Sequence, residues 1–192
     1  WSRGSYSYLP VGASPGLRTA LAAPIGDRVF FAGEATDTSD PGTVHGARAS
    51  GLRVAEDVAA VAQAGERVLV VGAGMAGLTA AAELSSGAFV DRNLTVNVVE
   101  ARDRLGGRLH SVKPDGFDAY AELGASWVHA VESPHASDLA GLLGDAGIET
   151  EPFDYRQAGL GPDGQRLPTS FLDDSRDAVA LAIAWADPQD SD

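Results

Sequence analysis

Cysteine is absent from the 192-residue sequence, and methionine occurs only once, as Met75. The absence of cysteine excludes disulfides, thiolate metal ligands, a cysteine nucleophile and a cofactor attached through a cysteine. No run of about 18 apolar residues is present, so we expect a soluble, cytoplasmic protein without a membrane segment. Because the chain begins at Trp1, we expect it to be a piece of a longer translation product.

Basic residues are scarce: 14 Lys and Arg stand against 27 Asp and Glu, which gives a net charge of −13. This balance argues against nucleic acid and anionic membranes as partners. Residues 130–192 contain 13 acidic and 3 basic residues and therefore carry −10 of that charge. Two interpretations stay open, a solvated acidic surface and a negative field that attracts a cationic substrate.

The chain divides into three segments. The first segment (residues 1–65) begins with loop-like sequence and a short edge strand at SYSYL, followed by a buried strand at RVFFAGEA (residues 28–35). A turn follows, and apolar periodicity then predicts a helix of about 18 residues within residues 43–65, closed by Gly65 at the C′ position.

The second segment (residues 66–132) contains a strand at ERVLVVGAG, a helix at MAGLTAAAELSS and a strand at NLTVNVVEA. The third segment (residues 133–192) contains a predicted helix at HASDLAGLLGDAG, a hairpin-like turn at GPDGQRL and a helix at DDSRDAVALAIAW. Strands that alternate with helices indicate an α/β fold with a parallel, Rossmann-like sheet and right-handed crossovers.

A dinucleotide fingerprint lies between the first strand and helix of the second segment. Gly72, Gly74 and Gly77 form G-x-G-x-x-G, which permits a tight turn, close approach of a pyrophosphate and close packing of helix on strand. Glu100 ends the next strand, where a carboxylate can accept both hydroxyls of an adenosine ribose. The acidic Glu100 argues against a cofactor that carries a 2′-phosphate on its ribose. The fingerprint alone is compatible with either NAD or FAD.

The stretch EARDRLGGR resembles the glutathione-reductase-type FAD proteins, and specifically the flavin amine oxidase superfamily. The resemblance implies that Glu100 binds the ribose, that Arg108 lies along the diphosphate, and that Gly106 and Gly107 approach the cofactor.

The stretch AELGASWVH is similar to the polyamine oxidase branch of that superfamily. The resemblance implies that the backbone at Ala125 and Trp127 runs beside the flavin and that His129 faces the active site. Lys113 aligns with no catalytic role, and no metal is expected.

The first segment resembles the C-terminal part of the same enzymes, in F-A-G-E-x-T and G-T-V-H-G-A. By this resemblance Gly33 and Glu34 contact the ribityl–diphosphate of FAD. Thr43 and Val44 present backbone N–H groups to the flavin ring, at the start of a helix whose dipole stabilises negative charge there.

The stretch SRGSY aligns with a motif in which some members attach flavin through cysteine. Ser5 stands at the position of that cysteine, so we expect non-covalent FAD. Tyr6 aligns with one wall of an aromatic substrate cage, and the facing wall falls near Thr43.

The order is thus a C-terminal-type segment followed by an N-terminal-type segment. The short connection at residues 62–66 suffices to place both in one sheet as a βαβ unit. A circular permutation and a tandem of two oxidases both fit, and the third segment resembles the start of an incomplete, acidic substrate domain.

The implied function is FAD-dependent oxidation of amines, polyamine-like by resemblance. A hydride passes to flavin N5, the imine hydrolyses to an aldehyde, and O2 reoxidises the flavin to give H2O2. The partners would be a small amine, O2, and the rest of the enzyme or a second chain. An amino-acid oxidase or desaturase of the same superfamily and a non-catalytic FAD-binding fragment stay open, as does activity of this chain alone.

Overall fold

A computed structural model describes residues 4–14, 16–129, 134–152, 161–168, 170, 173–174, 176–179 and 181. The chain divides into two compact units, Trp1–Ile148 and Glu149–Asp192. No helix in these described ranges has the length and hydropathy that a membrane span requires. The predicted division into three segments at residues 65 and 132 remains a prediction.

The first unit contains all the helices and strands whose bounds are defined. In chain order they are α1 (Gly16–Ala22), a 3-10 turn (Glu34–Thr36), α2 (Val44–Val61), β1 (Arg67–Val71), α3 (Met75–Ser85), a second 3-10 turn (Val90–Arg92), β2 (Thr95–Val99), β3 (Ser111–Val112), β4 (Ala121–Glu122) and α4 (Pro134–Asp145).

Two small sheets are formed by these strands. β1 and β2 pair in parallel, with Arg67 opposite Thr95 and Val71 opposite Val99. A helix connects them, as the alternation of strand and helix predicts. β3 and β4 pair as an antiparallel ribbon. The parallel pair fits an α/β fold and places its two carboxyl ends, at Val71 and Val99, side by side.

The core forms where α2 packs against α3. Val54, Val58 and Leu84 are buried there together with alanines of α2, and β1 and β2 add partly buried valines. The two helices approach closely at Gly51, where a Cβ atom would overlap the Ala76 carbonyl oxygen. A glycine is therefore required for this helix contact, which brings the start of α3 beside α2.

The strand predicted at residues 28–35 is not formed, and this prediction is wrong. Ile25 and Val29 make an isolated antiparallel bridge, and residues 30–32 have no strand partner among the described residues. Side chains of α2 bind this backbone instead: the Gly33 N–H donates to Ser50 Oγ at 2.8 Å and Arg53 Nη2 donates to the Phe31 carbonyl at 3.0 Å. The βαβ unit predicted across the two segments is therefore not formed between residues 28–35 and β1.

Two smaller predictions also differ from the structure. The SYSYL stretch contains no strand in its described residues. The 18-residue length predicted for α2 is confirmed, but the helix ends at Val61 with Ala62 as its C-cap. Gly65 lies beyond that cap with φ +84°, and its N–H donates to the Arg92 carbonyl at 3.3 Å. It turns the chain into β1 and is not the C′ residue.

The third segment agrees with its predicted elements where it is described. The helix predicted at HASDLAGLLGDAG is α4. In the second unit the Gly161 N–H donates to the Gln165 carbonyl at 2.8 Å, which closes the predicted turn. Residues 173–174, 176–179 and 181 are helical, and the other residues of that predicted helix lie outside the described part.

Candidate functional site

A cleft of about 2530 Å³ runs along the whole of β1, from Arg67 to Val71, and reaches the fingerprint glycines that follow this strand. Every residue that the sequence predicted to bind cofactor or substrate lines this cleft. These residues are Tyr6, Gly33, Glu34, Thr43, Val44, Gly72, Gly74, Gly77, Glu100, Gly106, Gly107, Arg108, Ala125, Trp127 and His129. Residues from both the first and the second segment therefore meet at one site.

The glycine fingerprint forms the turn between β1 and α3. The Gly72 N–H donates to the Val99 carbonyl at 2.8 Å, which continues the parallel ladder, and Gly72 has φ +105°. A Cβ atom at Gly77 would overlap the Gly72 carbonyl oxygen. The third glycine thus lets α3 begin directly against the turn, as the fingerprint predicts.

Glu100 is held against this turn by two backbone groups. Its Oε2 accepts from the Ala73 N–H at 2.8 Å, and its Oε1 accepts from the Arg102 N–H at 2.9 Å. The Ala73 N–H, followed by the Arg102 N–H, lowers the pKa of Glu100, because both bonds favour the ionised form. The carboxylate is therefore fixed in the charged form beside the fingerprint.

The GGR stretch packs directly on the fingerprint. The Gly106 N–H donates to the Ala73 carbonyl at 2.8 Å, and a Cβ atom on Gly107 would lie 3.3 Å from Gly74 Cα. Arg104 Nη2 also donates to the Gly107 carbonyl at 2.8 Å. The sequence analysis identified the two glycines but assigned no role to Arg104, whose hydrogen bonds hold this loop in place.

The β3–β4 ribbon continues from the same loop. The Leu123 N–H donates to the His110 carbonyl at 2.8 Å, and a Cβ atom at Gly124 would overlap the Arg108 carbonyl oxygen. This close approach brings Ala125 and Trp127 to the wall of the cleft.

The Glu34 side chain accepts four hydrogen bonds at the cleft. Its carboxylate is 6% exposed and lies 2.7 Å from Arg108 Nη1. It also accepts from Ser7 Oγ at 2.6 Å, from the Ser7 N–H at 3.0 Å and from the Gly42 N–H at 2.8 Å. Arg108 Nη1 additionally donates to the Ser5 carbonyl at 2.6 Å. The pair joins residues 74 positions apart and links the two segments across the cleft.

Burial and hydrogen bonding act on Glu34 in opposite directions. Burial taken alone would raise its pKa, but the bonds from Ser7, Arg108 and Gly42 together outweigh burial and hold the pKa below its ordinary value. Glu34 is therefore ionised at neutral pH, as its contact with the guanidinium of Arg108 requires.

Arg18 belongs to the same network and was not identified from the sequence. It lies on α1, is 8% exposed, and its Nη1 donates to Ser7 Oγ at 2.6 Å and to the Ala35 carbonyl at 3.2 Å. Ser7 thereby connects Arg18 to Glu34. The seven-residue α1, which the sequence did not predict, holds this arginine in place.

Two helices begin at the cleft, and their N-termini differ in whether a side chain caps the first backbone N–H groups. At α2 the Thr43 side chain accepts from the Gly46 N–H at 2.9 Å and donates to the Asp40 carbonyl at 2.7 Å. At α3 the N-cap is Gly74, which makes no side-chain cap hydrogen bond. The α3 terminus therefore leaves more of its N–H groups for an external acceptor.

The two side chains predicted to line the substrate lie at the cleft surface. Tyr6 is 69% exposed, and a Cβ atom on Gly42 would lie 3.5 Å from its ring. His129 is exposed. Both are accessible to a small molecule, and Tyr6 lies beside the loop that precedes Thr43.

Residues 1–59 and 75–185 match the protein family described as flavin containing amine oxidoreductase. The chain belongs to this family. The description of the family implies a flavin cofactor. The match falls in two separate stretches, interrupted at residues 60–74 by the end of α2, β1 and the start of the fingerprint.

Curated relatives agree with the family. The chain is 44% identical to a putrescine oxidase from Kocuria rosea over 102 residues, which cover 52% of this chain and 19% of the relative. It is 55% identical over 56 residues to polyamine oxidase 2 of Arabidopsis thaliana, with 29% and 11% covered. It is 52% identical over 64 residues to lysine-specific histone demethylase 1 homolog 1 of the same plant, with 33% and 8% covered. The match thus spans less than a fifth of each of these three relatives.

Proposed function

We propose that this chain forms the cofactor site of an FAD-dependent amine oxidase, and that its first and second segments contact the same FAD. The observation that carries the proposal is the convergence of all fifteen predicted residues on one cleft. The ion pair between Glu34 and Arg108 at 2.7 Å fastens the two segments there. We also propose that a C-terminal-type segment precedes an N-terminal-type segment in this chain. A circular permutation or a junction between two tandem oxidases would each give this order.

The adenine half of FAD fits the second segment. The α3 terminus offers N–H groups and a positive dipole end to a diphosphate, and no side chain at Gly74 obstructs its approach. An ionised carboxylate has about four acceptor positions. Glu100 accepts from the N–H groups of Ala73 and Arg102, and the Ala101 N–H also acts on it; a remaining position can accept a ribose hydroxyl.

The flavin half fits the first segment. Thr43 fixes the start of α2, and the helix dipole there favours negative charge on a nearby ring. Among the described contacts Arg108 donates through Nη1 alone. Its remaining guanidinium donors can bind a phosphate oxygen while Glu34 keeps the side chain in place. The absence of cysteine excludes a cysteinyl link to the cofactor, and we propose non-covalent binding.

A flavin bound here would supply the redox chemistry of amine oxidation: it would accept a hydride from the carbon next to an unprotonated amine and pass the two electrons to O2, which gives H2O2. The imine would then hydrolyse to an aldehyde. The residues of the chain supply position and charge. Tyr6 offers an exposed ring face to an alkylamine, and such a face also attracts an ammonium group. His129 lines the same cleft.

The substrate class we propose is a polyamine or diamine. Two of the relatives are named for putrescine and polyamine oxidation. Residues 130–192 carry −10 of the net charge, and a negative field raises the local concentration of a cationic substrate.

Flavin release and turnover test this function. The purified chain is denatured, and the released flavin is quantified by absorbance and identified chromatographically as FAD. The same chain, alone and within the longer polypeptide, is assayed for H2O2 with putrescine, spermine, N-acetylspermine and a simple monoamine. We expect about one FAD per chain and a preference for polyamines. Absence of flavin overturns the cofactor assignment, and flavin without turnover in the longer polypeptide indicates a non-catalytic FAD module.

A further inference from the structure

Two arginines connect to Glu34, and they differ in exposure. Arg18 lines the cleft but is only 8% exposed, whereas the side chain of Arg108 is 47% exposed. A phosphate in the cleft can therefore reach Arg108 far more readily than Arg18. We propose that Arg18 is a positioning residue of the cofactor site, which acts through Ser7 and Glu34 to keep Arg108 free to bind the diphosphate of FAD. This inference rests on the proposed function.

The Ser7 hydroxyl transmits the effect of Arg18, because a hydroxyl has a single proton. Arg18 Nη1 lies 2.6 Å from Ser7 Oγ, and Ser7 Oγ lies 2.6 Å from Glu34 Oε2. A guanidinium donates hydrogen bonds and accepts none, so Ser7 Oγ must accept from Arg18. The proton of Ser7 is therefore left for the Glu34 carboxylate.

The four acceptor positions of the Glu34 carboxylate are then all in use. Oε2 accepts from Ser7 Oγ and from the Gly42 N–H at 2.8 Å, while Oε1 accepts from the Ser7 N–H at 3.0 Å and from Arg108 Nη1 at 2.7 Å. Arginine and carboxylate otherwise favour a bidentate pair, in which two nitrogens bind two oxygens. With Oε2 occupied, Arg108 contacts Glu34 through Nη1 alone and keeps its other donors for a phosphate.

The charges of this network favour an anion as well. Arg18 forms no ion pair of its own with a carboxylate in the described part of the chain, and it is linked to Glu34 only through Ser7. The carboxylate of Glu34 is thus shared by two guanidinium groups. The three side chains leave one positive charge in excess, in a chain whose net charge is −13. A diphosphate would supply the missing negative charge.

Titration of the flavin-free chain with FAD, followed by calorimetry or fluorescence, tests the role of Arg18. In Arg18→Gln the new amide oxygen can accept the Ser7 proton, so we expect FAD to bind about tenfold more weakly. Arg18→Lys keeps a charged group that only donates and should retain most of the affinity. Arg92→Gln removes an exposed arginine outside the cleft and should bind FAD like the unmodified chain.

A double variant separates this role from a simple loss of packing. Ser7→Ala should weaken FAD binding about as much as Arg18→Gln. The variant with both changes should be little weaker than either, because both changes break the same series of hydrogen bonds. Circular dichroism verifies folding, and if Arg18→Gln does not fold, Ser7→Ala decides through the same affinity.

The pKa of Glu34 in the flavin-free chain, measured by carbon-13 NMR, provides a readout without the cofactor. Burial raises this pKa, and the hydrogen bond from the Ser7 hydroxyl acts against burial. We therefore expect the pKa of Glu34 to rise in Arg18→Gln and in Ser7→Ala, and to stay low in Arg18→Lys.

Several results would overturn the role of Arg18: undiminished FAD affinity in Arg18→Gln, equal losses in the glutamine and lysine variants, additive losses in the double variant, or an unchanged pKa of Glu34. In each of these cases the unmodified chain still binds FAD, so the proposed oxidase function stands. Failure of the unmodified chain to bind FAD would overturn that function and this inference together.

Discussion

Glu34 and Glu100 are both carboxylates with lowered pKa values at the same cleft, yet their surroundings differ. Glu34 is buried and receives bonds from the side chains of Ser7 and Arg108 as well as from two backbone N–H groups. Glu100 is partly exposed and is held by backbone N–H groups of the fingerprint and its own loop. The first segment thus shapes the cleft with side chains, whereas the second shapes it by close backbone approach at glycines.

This difference predicts which changes each segment tolerates. The second segment should be most sensitive to added atoms at its glycines. The first should be most sensitive to the loss of a polar group.

Gly77→Ala should have the largest effect. The new Cβ atom would overlap the Gly72 carbonyl oxygen, so α3 must move away from the turn. Overpacking of this kind costs about 1–3 kcal/mol or more, and we expect loss of bound flavin as well. Thermal unfolding and flavin content measure both effects.

Gly141→Ala is the matched control. Gly141 lies within α4 with nothing within 4 Å of the added Cβ, and alanine favours a helix over glycine by about 0.5–1 kcal/mol. This variant should be as stable as the unmodified chain or more so. Equal behaviour of the two alanine variants would contradict the backbone account of the second segment.

Glu34→Gln should lower the free energy of unfolding by about 2 kcal/mol, because hydrogen bonds to a charged group are worth about 1.5–3 kcal/mol. The neutral amide keeps the size of the side chain but loses the ion pair with Arg108. Denaturant unfolding at pH 7 measures the change. Glu56→Gln, an exposed position on α2, should change the stability little, and a similar loss at both positions would refute the role of the Glu34 network.

Thr43→Ala should cost about 1 kcal/mol, since it removes an N-cap that accepts from the Gly46 N–H. Thr43→Ser keeps the hydroxyl and should restore most of the stability. Thermal unfolding of the three chains distinguishes the cap from simple packing of the threonine methyl group, which serine does not replace.

The pH dependence of stability should be the smallest difference. The folded-state pKa of Glu34 lies below its unfolded value. Its ionised form therefore stabilises the protein above the unfolded pKa, and this contribution is lost as the pH falls through the folded pKa. Glu34→Gln should accordingly lose less stability on acidification than the unmodified chain. Unfolding curves from pH 7 to about pH 3 test this, and a steeper loss in the variant would contradict it.

The fingerprint glycines and Glu100 could be predicted from local geometry, whereas the other cleft residues were predicted from the resemblance to the amine oxidases. The fingerprint requires glycines at a strand-to-helix turn, and Thr43 has the chemistry of an N-cap. The predicted strand at residues 28–35 failed because apolar composition does not specify a partner, and the α2 side chains of Ser50 and Arg53 bind its backbone instead.

Contacts between residues that are far apart in the chain could not be predicted from the local sequence. Arg18 lies on a seven-residue helix in sequence that reads as a loop, yet it reaches Ser7 and the Glu34 network. His135 and Asp40 are 95 residues apart, and only the packing of α4 brings them together. Such pairings follow from tertiary structure and not from spacing in the chain.

Titration of the flavin-free chain with FAD, followed by fluorescence or calorimetry, tests the shared cofactor site most directly. The unmodified chain should bind about one FAD. Glu34→Gln in the first segment and Glu100→Gln in the second should each weaken binding about tenfold or more, with Glu56→Gln unchanged. Weakening by Glu100→Gln alone, or no binding by the unmodified chain, would contradict the proposal that the first and second segments hold one FAD.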